Sequence, residues 1–227
     1  LRRLQQREKT VQEIDDDKLG LLLKQTGGMV AASFNCAITV LGDRLGLYRA
    51  LGELGPSTSS ELASCLRLHE RWVREWLHQQ TCIGQLEYDS DHGKFAISPE
   101  AYAVLADEDH PAYLMGGFDS ALAVFPAVSK LEESFRTGIG MSYDEHGPNC
   151  ACGIERMGAF TKKHRLVGEM IPQLPGMHDR LVGGAMVADV GCGGGLATIT
   201  LAQAYPATTF VGYETSDVAL ERARANL

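Results

Sequence analysis

The sequence lacks most features of secreted, membrane-spanning or nucleic-acid-binding proteins. Its six cysteines form no C-x-x-C pair, which argues against a disulfide framework and favours a reduced, cytoplasmic chain. No apolar stretch approaches the roughly 18 residues that would cross a bilayer, and the first residues contain no signal-peptide core. Basic residues are also in the minority, because 21 Lys and Arg face 29 Asp and Glu. A net charge of -8 would repel a phosphate backbone, so we do not expect nucleic acid as a partner. Because no apolar stretch is long enough, a membrane is not expected as a partner either.

Composition and size allow one large domain or two small ones. The chain has 227 residues, of which 44% are hydrophobic and 22% charged, as in ordinary globular proteins. Cys150 and Cys152, with His146 just before them, form the one cluster that suggests a metal site. Their spacing is too short for a usual zinc knuckle, so no metal is predicted.

The most informative stretch is DVGCGGG at residues 189–195. Residues 186–190 have the pattern of a buried parallel strand, and residues 196–205 have the composition of a helix packed on a sheet. A second strand is predicted at residues 208–213. It ends at Glu214, a little over twenty residues after the first glycine, where a ribose-binding carboxylate is usually found. This order predicts a nucleotide-cofactor site.

The glycine spacing favours one cofactor class over another. Glycine tolerates the positive φ angles of such a turn and lets a ligand approach the backbone. Gly191, Gly193 and Gly195 follow a G-x-G-x-G spacing, whereas the dinucleotide fingerprint G-x-G-x-x-G would need glycine in place of Leu196. The alternative is that these are tight-packing glycines of an ordinary α/β turn, with Glu214 a residue at a helix N-terminus.

The acidic residue two places before G-x-G-x-G resembles the first motif of the seven-stranded S-adenosylmethionine-dependent methyltransferases. The resemblance implies S-adenosyl-L-methionine as the cofactor and these binding residues: Asp189, Gly191, Cys192, Gly193, Gly195 and Glu214. Asp189 would hold the loop and the methionine end, and Glu214 would accept hydrogen bonds from the ribose hydroxyls. Cys192 is either a small residue in a crowded turn or a thiol whose pKa is lowered by a helix N-terminus; the first interpretation is favoured.

The first half has the pattern of a winged helix. Apolar residues recur with helical period over residues 29–51, with a break expected at Gly46, and a capping box at residues 58–61 opens the next helix. A second helix from residue 70 is expected to carry four apolar side chains on one side: Trp72, Val73, Trp76 and Leu77. The hairpin that follows is predicted from alternating apolar residues, with its turn at residues 91–93.

A winged helix could serve two purposes. Arg71, Arg74 and His78 lie where a recognition helix would present them to DNA. However, Glu70 and Glu75 share that segment, and acidic residues occupy the wing, so a solvated face is the favoured interpretation. The resemblance implies instead that the module mediates dimerisation, as in many small-molecule methyltransferases.

The middle of the chain is expected to form helices that roof the cofactor. Helices are predicted at residues 111–115, 120–135 and 153–170, with a long loop at residues 138–148. By position, six side chains are candidates for a substrate wall, although helix core is the simpler role for each of them: Phe118, Phe125, Tyr143, Met157, Phe160 and His164. Because His164 has basic neighbours, it is expected on a solvent-exposed face, and no catalytic residue is assigned.

The sequence thus predicts an α/β protein with an α-rich N-terminal winged helix and a Rossmann-like methyltransferase domain truncated after its second strand. The expected divisions are an N-terminal helical arm (1–28), a winged-helix dimerisation domain (29–106), a helical linker and substrate wall (107–183), and an incomplete S-adenosylmethionine-binding domain (184–227). The expected function is methyl transfer to a small-molecule acceptor by a cytoplasmic homodimer, although this fragment alone is expected to be inactive. Two alternatives stay open: a winged-helix regulatory or scaffold protein, and an NAD-dependent oxidoreductase.

Overall fold

A computed structural model describes residues 14–227 of the chain, including ten α-helices and four short strands. In chain order these are α1 (Asp16–Arg44), α2 (Leu47–Leu54), α3 (Ser59–Leu66), α4 (Glu70–Cys82), β1 (Glu87–Asp89), β2 (Lys94–Ala96), α5 (Pro99–Leu105), α6 (Met115–Thr137), α7 (Pro148–Phe160), α8 (Met177–Val182), β3 (Met186–Val190), α9 (Leu196–Ala204), β4 (Thr209–Tyr213) and α10 (Asp217–Asn226). None of the helices in this part of the chain is long and apolar enough to cross a membrane.

The chain divides into two compact units, residues 1–35 and 36–227. The described part of the first unit consists of residues 14–35, most of them in α1, which begins well before the predicted start at residue 29. The rest of the predicted arm, residues 1–13, lies outside the described residues. Several large apolar side chains of this unit are exposed, among them Leu23, Met29 and Phe34.

Within the second unit, local sequence signals set where the helices of the predicted winged helix begin and end. Gly46, with a φ of 72°, separates α1 from α2, as predicted. At the start of α3, Thr58 accepts a hydrogen bond from the backbone N–H of Glu61, whose carboxylate accepts one from the backbone N–H of Thr58. Ser98 caps α5, with Pro99 in the first turn. The wing is an antiparallel pair in which Tyr88 lies opposite Phe95.

One apolar core joins these elements. It contains fully buried side chains from α2, α3 and α4, including Leu51, Leu62 and Leu77. The hydroxyl of Tyr48 donates to the buried amide oxygen of Gln80, at 2.5 Å, so these two polar groups inside the core are paired.

Two large apolar residues of the winged helix are exposed. Trp72 is 69% exposed, whereas the other three apolar residues predicted on its side of the helix are buried: Val73, Trp76 and Leu77. Tyr88 in β1 is also exposed, although Leu86 and Phe95 are buried. Trp72 and Tyr88 each lie at the edge of the face that α4 or β1 packs against the core.

Helices α6 and α7 pack closely through two glycines. A Cβ at Gly116 would lie 2.4 Å from the carbonyl oxygen of Gly153, and a Cβ at Gly153 would lie 2.4 Å from that of Gly116, so neither position admits a larger residue. The prediction of a helix at residues 111–115 is wrong, because α6 begins only at Met115. Helix α7 begins at Pro148, before the predicted start, and continues into a π-helical segment, Thr161–Met170.

An ion-pair network fixes α7 to the end of α1. The guanidinium of Arg156 lies 2.8 Å from Asp43 and 2.6 Å from Asp119. Arg44 contacts the other oxygen of Asp119 at 3.3 Å. Asp119 is nearly fully buried, and its two arginine partners compensate the cost of removing its charge from water.

The second sheet is parallel and has two strands in the described part of the chain. Met186 pairs with Thr209 and Val190 with Tyr213, at opposite ends of the register. A small core beneath the sheet contains Leu181 and Tyr205. On the other face Met186 and Val190 are 85% and 84% exposed.

Candidate functional site

The glycine loop lies between β3 and α9 and is held against the end of β4. Gly191, Gly193 and Gly195 have φ angles of 80°, 56° and 75°, in the left-handed region that glycine adopts without strain. The backbone N–H groups of Gly191 and Cys192 both donate to the carbonyl oxygen of Tyr213, at 2.7 and 3.1 Å. The carboxyl ends of two neighbouring parallel strands therefore shape the loop, as is typical of ligand sites in open α/β sheets.

Glu214 braces the loop from the end of β4. Its Oε2 accepts the backbone N–H of Gly193 at 2.9 Å, and its Oε1 accepts those of Thr215 and Ser216 at 2.7 and 3.1 Å. The N–H of Ser216, with those of Gly193 and Thr215, lowers the pKa of Glu214 below its usual value. The carboxylate is therefore ionised at neutral pH, and Oε2 keeps a second lone pair for a ligand hydroxyl.

A cavity of about 380 Å³ opens between the loop, α7 and α10. It is lined by Tyr143, Ala151, Ile154, Glu155, Lys162, Gly191, Cys192, Gly193, Gly194, Leu196, Glu214, Thr215, Ala219 and Arg222. A Cβ at Gly191 or Gly193 would meet no heavy atom within 4 Å, so the backbone at these positions is open to a ligand. Four of the six predicted cofactor residues thus surround one cavity.

The other two predicted residues support the loop from positions outside the lining. Asp189, in β3, accepts a hydrogen bond from the hydroxyl of Thr198 in α9. Gly195 precedes α9, and a Cβ there would lie 3.2 Å from that of Ala223 in α10. In the described structure Asp189 therefore ties β3 to α9, and Gly195 allows the start of α9 to approach α10.

Cys192 lines the cavity but packs against the neighbouring strand. Its sulfur would lie 2.7 Å from a Cβ at Gly212, and burial raises the pKa of its thiol, helped by the nearby Asp189. This direction is opposite to the one expected for an activated thiol. The geometry therefore favours the small-residue interpretation of Cys192.

The candidates for a substrate wall do not all meet at this cavity. Tyr143 lines it, and burial raises the pKa of its hydroxyl. Phe118 packs on the winged-helix core, and Phe125 is exposed on α6. Phe160 packs against His164 with ring centroids 4.9 Å apart and planes tilted by 40°, and His164 is partly exposed as expected.

Several cavity residues were not identified from the sequence. Glu155 on α7 and Arg222 on α10 form an ion pair of 2.7 Å across one side of the cavity, and Lys162 contributes a second positive charge. These residues come from segments far apart in the chain and belong to no recognisable motif. Their helical packing, not their local sequence, brings them to the loop.

Two of the three residues considered for DNA contact interact with other residues of the winged helix. Arg74 pairs with Glu70 at 3.4 Å, and the ring of His78 lies edge-on to Phe95 at 5.1 Å. Within residues 14–227, no group of three or more His, Cys, Asp or Glu side chains is arranged to hold a metal ion.

Comparison with known proteins agrees with this architecture. A model of an Rv2258c-like winged helix-turn-helix domain matches residues 33–107. A comparison with curated protein sequences gives no match.

Solved structures with the same fold include methyltransferases of several kinds. The mitomycin 7-O-methyltransferase MmcR superposes with a TM-score of 0.66 at 19% identity, covering 94% of this chain and 63% of its own. Human N-acetylserotonin methyltransferase, in complex with S-adenosylmethionine, gives 0.58 at 14% identity, covering 96% and 64%. PigF with S-adenosylhomocysteine gives 0.57 at 15%, covering 94% and 63%. The chain thus has a winged-helix and methyltransferase-like fold and spans less than two thirds of the length of these structures.

Proposed function

We propose that this protein is an S-adenosyl-L-methionine-dependent methyltransferase that acts on a small-molecule acceptor. One observation carries the proposal. The glycine loop after β3 and Glu214 after β4 are joined by a hydrogen bond at the edge of a single cavity. Two solved methyltransferases share the fold, one of them in complex with S-adenosylmethionine, and PigF, which also shares it, holds S-adenosylhomocysteine.

The residues present fit this cofactor. Gly191 and Gly193 leave the backbone open, so the cofactor could lie against the loop. In the proposed site Glu214 accepts a ribose hydroxyl through its remaining lone pair, while Asp189 and Gly195 maintain the loop from behind. Cys192 contributes a small side chain to the cavity wall.

The cofactor, when bound, supplies a methyl group on a sulfonium, and charge disappears as that group is transferred. The protein's task is therefore to align the acceptor and exclude water. Tyr143 and the apolar Ile154, which line the cavity beside the loop, are suited to excluding water. No base is assigned, and the acceptor atom stays open.

We propose for each segment of the chain the role that is expected from the sequence. In this proposal residues 29–106 dimerise, 107–183 provide the substrate wall, and 184–227 hold the cofactor. The two-stranded sheet leaves Met186 and Val190 exposed, so we expect this chain alone to bind the cofactor weakly and to be inactive. A cytoplasmic location is part of the proposal, since all six thiols are unpaired.

The proposed homodimer uses the winged-helix region. An apolar groove of about 240 Å³ runs beside the exposed Trp72 and is lined by Leu41, Leu45 and Leu68 among others. An exposed aromatic residue beside such a groove is typical of protein interfaces. Light scattering should give about twice the mass of one chain, and Trp72→Ala should shift the mass toward the monomer; a monomeric wild-type protein would contradict the dimer.

Calorimetric titration with S-adenosylhomocysteine, with NAD as the control ligand, tests the proposed cofactor. Binding of S-adenosylhomocysteine without NAD binding is expected. NAD binding alone would favour an oxidoreductase. A folded chain that binds neither ligand but retains a specific DNA with salt-dependent affinity would favour a regulatory protein.

A further inference from the structure

A carboxylate and a guanidinium form an ion pair at one side of the cavity. Glu155 projects from α7 and Arg222 from α10, with 2.7 Å between Glu155 Oε2 and Arg222 Nη2. Their side chains keep 23% and 32% of their accessible surface, so the pair is still in contact with water. Ion pairs of this kind contribute little to folding stability, because solvent screens them.

Glu155 also lies directly against the glycine loop. A Cβ at Gly194 would be 2.3 Å from Glu155 Oε2 and 2.9 Å from its Cδ, so the missing side chain of Gly194 makes room for the carboxylate. From the other side, the Asn226 side chain on α10 donates to the carbonyl oxygen of Gly194 at 2.8 Å. The two helices that carry the ion pair therefore meet at one residue of the loop.

The other acidic groups near the loop already have structural partners. Glu214 accepts three backbone N–H groups, and Asp189 accepts the hydroxyl of Thr198. Glu155 differs from them, since the partner that the structure gives its carboxylate is the movable, partly exposed side chain of Arg222. This acid can exchange its partner for a ligand without releasing the backbone of the loop.

We infer that Glu155 and Arg222 recognise the amino acid end of the cofactor, with Glu155 binding its α-ammonium group and Arg222 its α-carboxylate. One weak internal ion pair is then replaced by two pairs with the ligand. A guanidinium suits the second task because its parallel N–H groups match the two oxygens of a carboxylate. The inference rests on the proposed function and assigns ligand-binding roles to two residues outside the glycine motif.

Two ligands that differ in the amino acid end provide the test. S-adenosylhomocysteine carries the α-ammonium and α-carboxylate, whereas 5′-methylthioadenosine has the same nucleoside and thioether without them. Dissociation constants of both would be measured by calorimetry for the wild-type chain, Glu155→Gln and Arg222→Gln. We expect each variant to weaken S-adenosylhomocysteine about five- to tenfold and to leave 5′-methylthioadenosine within about twofold.

Matched controls on α10 remove the same charges from exposed positions. Glu221→Gln and Arg224→Gln should leave both dissociation constants unchanged. Glu155→Gln or Arg222→Gln binding both ligands as the wild type does, or weakening both in parallel, would overturn the inference, because the pair would then be a structural bridge. If the folded wild type bound neither ligand, the proposed function itself would fail, and the inference with it.

Discussion

Replacing Glu214 by glutamine removes the charge that braces the glycine loop while preserving the size of the side chain. In the wild type, Oε2 accepts from Gly193 and Oε1 accepts from Thr215 and Ser216. A glutamine has one acceptor oxygen and one NH₂ donor. Whichever way it turns, at least one of these backbone N–H groups faces a donor.

The size of the effect follows from this geometry. A hydrogen bond to a charged group contributes about 1.5 to 3 kcal/mol, and the partial exposure of Glu214 favours the lower end of that range. We expect Glu214→Gln to weaken S-adenosylhomocysteine binding by about 1.5 kcal/mol, slightly more than the ~1.4 kcal/mol that corresponds to a tenfold change. Glu221→Gln, at an exposed position of α10, is the matched control and should bind normally.

The same carboxylate predicts a pH dependence. Backbone N–H groups, that of Ser216 first, lower the folded-state pKa of Glu214 below its usual 4.5. Its contribution to loop stability is therefore complete above the unfolded pKa and is lost as the pH falls through the folded value.

Calorimetry of Glu214→Gln at neutral pH, with circular dichroism to verify folding, tests the predicted loss of binding. A folded variant with the wild-type dissociation constant would refute it and remove Glu214 from the site.

Three further predictions concern the loop and the winged helix. Gly193→Val should fold but lose S-adenosylhomocysteine binding, because its Cβ would point into the open cavity from a residue with a φ of 56°; normal calorimetric binding would contradict the loop assignment. Leu77→Ala, at a fully buried position, should lower the free energy of unfolding in urea by about 2 to 5 kcal/mol, and a loss under 1 kcal/mol would contradict its core position. Thr58→Ala should cost about 0.5 to 2 kcal/mol in the same assay by removing the cap of α3, whereas the exposed Ser60→Ala should change little; equal effects would argue against the capping box.

Local chemical signals made much of the fold predictable. The strand at residues 186–190 has the predicted bounds, and Gly46 and Thr58 end or begin helices as expected. In each case the physical cause lies within a few residues: apolar side chains in sequence, a left-handed glycine, or a side chain that caps its own helix.

Other features depend on tertiary packing that a single sequence does not display. Helical period could not show that Trp72 lies at the uncovered margin of α4. Nor does any local pattern mark the π-helical segment Thr161–Met170. Glu155 and Arg222 were missed for the same reason, since they meet only because α7 and α10 approach the loop from different directions.

The most direct test of the central claim is to follow the backbone amides of the ¹⁵N-labelled chain by NMR as S-adenosylhomocysteine is added. The account predicts that the largest shifts fall on Gly191, Gly193 and Thr215, while amides of the winged-helix core, such as Leu62 and Leu77, stay in place. Shifts confined to the winged helix, or a folded chain whose glycine-loop amides do not respond at saturating ligand, would contradict a cofactor site at this loop.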